Sequence, residues 1–301
     1  MNSKNVTKNY KKNYPEIANQ IYRKSYSHTE NYHDYNLLLN DYASLLILME
    51  SNQIPKNVDI QEKAVSYNIA KKNDFPIFFV SKLLLNAVMQ TNVDFEIDPI
   101  DFYLPFESFY LVMPKNSIKF NNDFVAGFEI FRTRKGEQHT FTGNRQIKCG
   151  NGGLFIKIKT LRSGEFCTSQ VKNFIPSEIA SNRDLSDKRP DLIPLDTSES
   201  VFISQMVSTV FNILFAMQCK PELIERGERI SINQKIKTQI WSPNVIGRKY
   251  QTKTDPNELK GTHSSPQTHW RRGHFRRQAF GRELSKIKTI WIEPMLINAG
   301  I

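Results

Sequence analysis

The spacing of apolar residues predicts several helices along the chain. Three early segments carry apolar side chains three and four positions apart, which is the spacing of an amphipathic helix. They are Tyr35–Met49, Asp59–Lys72 and Ser81–Gln90. A fourth segment, Val201–Gln218, has the same spacing over a longer and more apolar run that ends before Pro221. This last segment predicts a long buried helix.

After residue 98 the helical spacing gives way to short runs of alternating residues, which predict strands. The clearest runs are Val125–Phe131, Leu154–Ile158, Lys235–Trp241 and Ser285–Ile292. The polar stretch 242–267 separates the last two and predicts a long loop. We therefore predict an α+β fold, in which a mainly helical region, residues 1–98, packs on a strand-rich α+β domain, residues 99–301, that contains the long helix.

Composition and charge narrow the class of protein. The 301 residues are 39% hydrophobic with a formal net charge of +11, so we expect a folded core and attraction to polyanions such as nucleic acid. Three cysteines without a paired spacing indicate neither a disulfide framework nor a cysteine zinc site. The first residues are too polar for a signal peptide, and polar residues interrupt the long apolar runs. We therefore expect a cytoplasmic protein with no membrane contact, no cofactor and no metal.

Arginine, histidine and aromatic residues concentrate in His269–Gln278, which reads HWRRGHFRRQ. A guanidinium is permanently charged and presents a planar fork of donors that matches phosphate oxygens. Aromatic rings stack on bases, and histidine adds a group that exchanges protons near neutral pH. Four clustered arginines repel one another unless a polyanion or carboxylates such as Glu283 and Glu293 offset their charge. The segment therefore indicates RNA or a ribonucleoprotein as the partner.

The residues expected to contact nucleic acid lie in this segment and in a short basic loop upstream of it. They are Trp270, Arg271, Arg272, Phe275, Arg276, Arg277, Arg248 and Lys249. If the segment is extended, Arg272, His274 and Arg276 share one face with Trp270. If it is helical, Trp270 and His274 lie one turn apart. Either geometry places a histidine among guanidinium groups.

The same residues allow chemistry as well as binding. In a metal-independent ribonuclease, His269 or His274 would transfer the proton, and Arg272 or Arg276 would stabilise the negative charge that develops on the oxygens of the phosphorane. A zinc site built from His263, His269 and His274 is disfavoured, because the neighbouring arginines repel a cation. Two further interpretations stay open. The arginines pair with carboxylates and fasten a loop, or they anchor an acidic protein partner.

Three short sequences in the last third of the chain carry a family resemblance. They are Cys219–Leu223 (CKPEL) after the long helix, His269–Phe275 (HWRRGHF) and Ile290–Pro294 (IWIEP). Over roughly residues 201–301 the chain resembles plasmid- and phage-borne proteins grouped with the type V-A anti-CRISPR that lowers production of its target nuclease. That family is understood to recognise the nascent nuclease chain and to trigger loss of its messenger RNA. The resemblance implies an action linked to RNA or the ribosome, and it adds a nascent protein chain to the expected partners.

Overall fold

The protein has a mixed α+β fold, as the sequence predicts. The computed structural model describes residues 25–26, 30–35, 45, 58–93, 103–142, 145–149, 152–161, 164–171, 197–230, 240–254 and 269–297. Its helices are α1 (Val58–Lys72), α2 (Lys82–Met89) and α3 (Thr197–Cys219), with short 3-10 turns at Pro221–Leu223 and Arg282–Leu284. Its strands are β1 (Ser25–Tyr26), β2 (Ile77–Val80), β3 (Thr91–Val93), β4 (Ser108–Val112), β5 (Lys119–Phe120), β6 (Asp123–Thr133), β7 (Gln138–Thr142), β8 (Arg145–Lys148), β9 (Gly153–Thr160), β10 (Gly164–Val171), β11 (Ile224–Glu225), β12 (Arg229–Ile230), β13 (Ile240–Trp241), β14 (Asn244–Ile246), β15 (Lys253–Thr254), β16 (His269–Arg271), β17 (Gly273–Phe280), β18 (Lys286–Ile292) and β19 (Met295–Ile297).

Three of the four predicted helices are confirmed as α1, α2 and α3. Helix α2 begins directly after Ser81, whose hydroxyl oxygen accepts the Leu84 N–H at 3.2 Å and so satisfies one of the free donors at the helix start. The helix predicted over Tyr35–Met49 lies almost entirely outside the described residues. Apolar spacing was therefore a sound guide wherever the structure describes the segment.

The predicted strands that fall within the described residues are also confirmed, but the predicted loop over 242–267 is wrong in part. It contains the short strands β14 and β15. The Asn244 side chain donates to the Ile77 carbonyl at 2.8 Å, and Lys253 pairs with Met295 in a parallel ladder. Strands of two or three residues are too short to produce an alternating pattern, so sequence periodicity could not reveal them.

The chain divides into two compact units, each assembled from several segments. The first unit comprises Met1–Val80, Pro99–Lys172 and Arg226–Val245, and the second comprises Ser81–Asp98, Asn173–Glu225 and Ile246–Ile301. Each unit thus contains residues from both sides of residue 98.

A mostly antiparallel sheet organises the first unit. Its strands run in the order β10-β9-β6-β4-β2, and only the pairing of β4 with β2 is parallel among these neighbours. The central strands are buried along most of their length, which explains their nearly continuous apolar sequence. Val65 and Ile69 of α1 pack on Phe131 and Phe155, whose rings stack at 4.7 Å. This helix-on-sheet cluster forms a core for the unit.

The long helix α3 lies at the centre of the second unit. Its residues from Val210 to Met217 are buried. Asn212 links the helix to the segment that follows α2, because its amide donates to the Val88 carbonyl at 2.9 Å and to the Thr91 carbonyl at 2.7 Å. α3 is long and apolar enough to span a membrane, but most of it is buried inside the protein, as in a core helix. The long buried helix expected from the sequence is therefore confirmed.

Candidate nucleic-acid interface

The basic segment His269–Gln278 is extended and lies in two successive strands of the second unit. β16 pairs antiparallel with β19, and β17 pairs antiparallel with β18 and parallel with β3. Of the two geometries considered for the segment, the extended one is confirmed. Side chains along β17 therefore alternate between two faces, and the chemistry of each face follows from what it contacts.

Gly273 and Phe275 occupy the buried positions of β17. A Cβ atom at Gly273 would lie 2.7 Å from the Ile292 carbonyl oxygen and 2.7 Å from the Pro294 ring, so this close approach requires glycine. The Phe275 ring is fully buried, with its centre 5.1 Å from that of Phe215 and 5.6 Å from that of Trp291. Because its ring is enclosed by protein, Phe275 packs in the core and is not part of the surface that we propose for nucleic acid.

Four aromatic side chains from separate segments form a cluster that holds this strand, and we call it the aromatic anchor. Its members are Phe215 of α3, Tyr250, Phe275 of β17 and Trp291 of β18. The Trp291 ring stacks on Tyr250 at 5.7 Å, and its indole N–H donates to the Thr91 hydroxyl at 3.3 Å. The cluster joins the long helix to both strands of the β17–β18 hairpin, so the hairpin base is fixed in the core.

A partly buried ion pair lies next to the aromatic anchor. The Lys220 ammonium bonds to the Glu293 carboxylate, whose side chain is 4% exposed, and the same ammonium lies 5.8 Å from the centre of the Trp291 ring. Burial, together with the negative charge of Glu293, raises the pKa of Tyr250 far above its usual value. Glu293 is therefore engaged by Lys220 in the interior.

Cys219 is a third link between α3 and the hairpin. Its thiol donates to the Thr289 carbonyl of β18 at 3.4 Å. Burial raises the pKa of the Cys219 thiol from the ordinary value of 9.0 to about 11, although the Lys220 ammonium opposes the shift. The folded protein thus holds this proton more tightly than the unfolded chain does. The resulting stability is complete below pH 9.0 and is lost as the pH rises toward about 11.

We predict that Cys219 resists alkylation in the native protein. In a variant with Cys149→Ser and Cys167→Ser, iodoacetamide should label Cys219 much more slowly at pH 8 than it labels the same chain unfolded in urea, since the thiolate is the reactive form. The rate, followed by mass spectrometry, should keep rising toward pH 11. Labelling of native protein at the unfolded rate at pH 8 would contradict the assigned pKa shift.

The remaining positions of the segment place arginines on the outside. The arginines Arg271, Arg272, Arg276 and Arg277 are all exposed, and we call them the outward arginines. No ion pair joins the first three of them to a carboxylate within the described residues. For Arg271, Arg272 and Arg276, the alternative in which the arginines pair with carboxylates to fasten a loop therefore has no support in the described part of the chain. The outward arginines are exposed to solvent, where a ligand can reach them.

The positive charge continues along the β17–β18 hairpin beyond the segment. Residues 271–288 carry seven basic side chains and one acidic side chain, a net charge of 7 − 1 = +6. The basic side chains are Arg271, Arg272, Arg276, Arg277, Arg282, Lys286 and Lys288, and the acidic one is Glu283. Every residue from Arg276 to Lys288 is exposed. The outer part of the hairpin therefore presents a dense positive surface on a base fixed by the aromatic anchor.

The two faces of the outer hairpin differ in character. Arg276 lies opposite Ile290, Gln278 opposite Lys288 and Phe280 opposite Lys286, so these six residues share one face. The other face carries Ala279 opposite Ile287, and Ile287 is 68% exposed. One face of the hairpin is thus basic with an aromatic ring, and the other has exposed apolar groups.

The basic loop at Arg248 and Lys249 has less uncompensated charge for binding a polyanion than the hairpin has. Arg248 lies 3.2 Å from the Glu225 carboxylate and Lys249 lies 3.9 Å from it, although both side chains are exposed. Gly247 precedes them with a φ of +80°, and a Cβ there would lie 2.6 Å from Leu84. Glu225 neutralises part of the loop's charge, so we expect a smaller contribution to polyanion binding than from the outward arginines.

The histidines are only partly described. His274 is half-buried at the base of β17, two positions from Arg276 on the same face. The side chains of His269 and Trp270 lie outside the described residues, as does all of His263. The catalytic roles of His269, His274, Arg272 and Arg276, and the contact of Trp270 with a base, stay predictions.

Sequence reasoning missed several residues that shape this surface. They are Lys220, Tyr250, Phe280, Lys286 and Lys288. The alternation of Lys286 and Lys288 in a predicted strand is a local signal that could have placed both lysines on one face. Lys220 and Tyr250 carry no such signal, because their partner Glu293 is remote in sequence.

The comparison with family models extends the resemblance far beyond the last third of the chain. The model of the AcrVA2-like family, described as the anti-CRISPR type V subtype A2 family, matches residues 78–299. The match covers α2, α3 and the whole β17–β18 hairpin. No curated protein and no solved structure matches the chain significantly.

Proposed function

This chain belongs to the AcrVA2-like anti-CRISPR type V subtype A2 family, and on that premise we propose that it acts on RNA or a ribonucleoprotein in the cytoplasm through the outward arginines. The observation that carries the proposal is the exposure of these four arginines in a segment that Gly273 and Phe275 fix in the core. Because the segment is anchored, its arginines lose only side-chain freedom when they bind a phosphate, and the planar guanidinium already matches the phosphate oxygens. The arrangement therefore supports binding that depends on charge and on position.

The net charge of the hairpin favours a polyanion over a neutral partner. Its +6 over residues 271–288 makes up much of the formal charge of +11 for the whole chain. Single-stranded RNA releases bound counterions when cations replace them at its phosphates, which makes binding favourable at low salt and weaker at high salt. We therefore expect RNA to bind with an affinity that falls steeply as salt rises.

We predict that the double variant Arg272→Ala/Arg276→Ala binds labelled single-stranded RNA on the order of ten-fold more weakly at physiological salt, since two phosphate contacts are lost. Fluorescence anisotropy with purified protein measures the affinity. The matched control is Arg248→Ala, because Arg248 is exposed but already paired with Glu225. It should change the affinity much less. Equal affinity of the double variant and the wild type would contradict the proposal.

The same assay tests the ribonuclease alternative. With chelator present, the RNA is recovered after binding and its length is measured for the wild type and for His274→Ala. Cleavage by the wild type that disappears in His274→Ala would establish metal-independent RNA cleavage with His274 as a proton-transfer group. Bound RNA of unchanged length would make the surface a binding site without chemistry.

A protein partner is a second candidate, and the exposed apolar groups of the hairpin favour it. Ile287 is 68% exposed and Leu284 at the hairpin tip is 66% exposed. Exposed apolar side chains beside arginines are common at protein interfaces. A nascent or acidic protein chain would need both groups, so Leu284→Ala and Arg276→Ala would then both weaken its capture. If the partner is RNA, only Arg276→Ala should weaken binding.

A further inference from the structure

An exposed aromatic ring lies within the basic face of the hairpin. Phe280 is 38% exposed at the end of β17, directly opposite Lys286 of β18. The ammonium of Lys288 lies 5.4 Å from the centre of the Phe280 ring, and Arg276 occupies the same face four residues earlier. A planar apolar surface thus shares one face of a two-stranded sheet with three cations.

Resting on the proposed function, we propose that this face binds unpaired RNA and that Phe280 stacks on a base. A base on the ring would bring the adjoining phosphates within reach of Arg276, Lys286 and Lys288. Aromatic rings combined with cations on a sheet surface suit single strands, because each base offers a flat face and each nucleotide one phosphate. The partner class is therefore single-stranded RNA, including the loops and ends of folded RNA.

A base-paired helix fits this face less well. In a duplex the base faces stack on one another, so a protein ring cannot reach them without unstacking a base pair. A duplex would still attract the lysines and arginines through its phosphates. Because of Phe280, the protein should therefore bind unpaired RNA with higher affinity than paired RNA.

Among the aromatic residues of this hairpin, Phe280 is the exposed one, and the Lys288 ammonium lies over its ring. Phe275 and Trp291 are buried in the aromatic anchor, so neither ring can accept a base without opening the core. The distal position of Phe280, beyond the part of β17 that packs in the core, leaves it on the surface. Its substitution should therefore leave the fold intact.

The test compares Phe280→Ala with Leu284→Ala, which removes an exposed apolar group from the same hairpin without removing a ring. Three probes are used: a single-stranded RNA, the same strand with abasic nucleotides that keep every phosphate, and a duplex. Phe280→Ala should weaken binding of the intact strand about ten-fold. Leu284→Ala should leave it unchanged, and Phe280→Trp should preserve it.

The abasic strand separates stacking from charge. The wild type should bind it as weakly as Phe280→Ala binds the intact strand, while Phe280→Ala should not distinguish the two strands. If Phe280→Ala binds the intact strand with wild-type affinity while Arg272→Ala/Arg276→Ala does not, stacking is refuted and the proposed function stands. If the wild type binds the duplex and the single strand equally, the preference for unpaired RNA is refuted. If the wild type binds no RNA, both proposals fail.

Discussion

Replacing Trp291 with alanine should lower the free energy of unfolding of the second unit by about 3–5 kcal/mol, because it leaves a cavity at the centre of the aromatic anchor. The ring is buried and contacts Tyr250 on one side and Phe275 on the other, at 5.7 and 5.6 Å. Its N–H also donates to the buried Thr91 hydroxyl, which would lose this partner. Urea unfolding followed by far-ultraviolet circular dichroism measures the effect.

Two further variants establish where the effect comes from. Trp291→Phe keeps an aromatic ring in the cluster but removes the donor to Thr91, so its loss should be clearly smaller than that of Trp291→Ala. Leu284→Ala removes an exposed group and should change the stability by less than about 0.5 kcal/mol. If Trp291→Ala were no more harmful than Leu284→Ala, the aromatic anchor would not hold the hairpin.

Lys220→Ala should be nearly as destabilising, with a loss of about 3 kcal/mol, because it leaves the Glu293 carboxylate buried without its cation. The Glu293 side chain is 4% exposed, so its charge is poorly hydrated and costly to leave without the ammonium. The Lys220 ammonium also lies over the Trp291 ring, and this contact disappears with it. The same urea titration reports the change.

The matched control for Lys220→Ala is Lys249→Ala, which breaks a pair with Glu225 at the surface. Lys249 is 79% exposed and its ammonium lies 3.9 Å from the carboxylate, so its loss should cost no more than about 1 kcal/mol. Lys220→Met combined with Glu293→Gln removes both charges and should recover much of the stability that Lys220→Ala loses. Failure of this double variant to recover any stability would show that the unpaired charge is not the cause.

The local elements of this fold could be predicted because their signals involve neighbouring residues. The apolar stripe of α3 and the alternation of β18 are visible over a few turns or a few residues. The two-residue strand β15 gave no such signal, because it is defined only by its pairing with β19. Elements with a periodic apolar pattern of their own could therefore be predicted. Elements that form only by pairing with a strand distant in sequence could not.

The inward and outward faces of the basic segment could not be predicted in the same way. Alternation shows that Phe275 and Arg276 point to opposite sides, but it does not show which side is buried. The burial of Phe275 depends on Phe215 and Trp291, which come from other elements. Likewise, the Lys220–Glu293 pair joins residues 73 positions apart, and neither residue suggests the other.

The residues that carry the family resemblance form two structural groups. Gly273, Phe275, Trp291 and Glu293 are buried and hold the hairpin in place. Arg271 and Arg272 are exposed and lie outside that packing. Variants of the exposed group therefore test the function without unfolding the protein, whereas variants of the buried group test the scaffold.

The salt dependence of RNA binding decides whether the outward arginines contact phosphates. Affinities of the wild type and of Arg272→Ala/Arg276→Ala for one single-stranded RNA are measured over a range of salt concentrations. The slope of log affinity against log salt should become shallower by about 1.4 in the variant, since each lost phosphate contact removes about 0.7. Replacement of both arginines by lysine should keep the wild-type slope. Identical slopes for the wild type and the alanine variant would contradict the proposal that these arginines bind RNA.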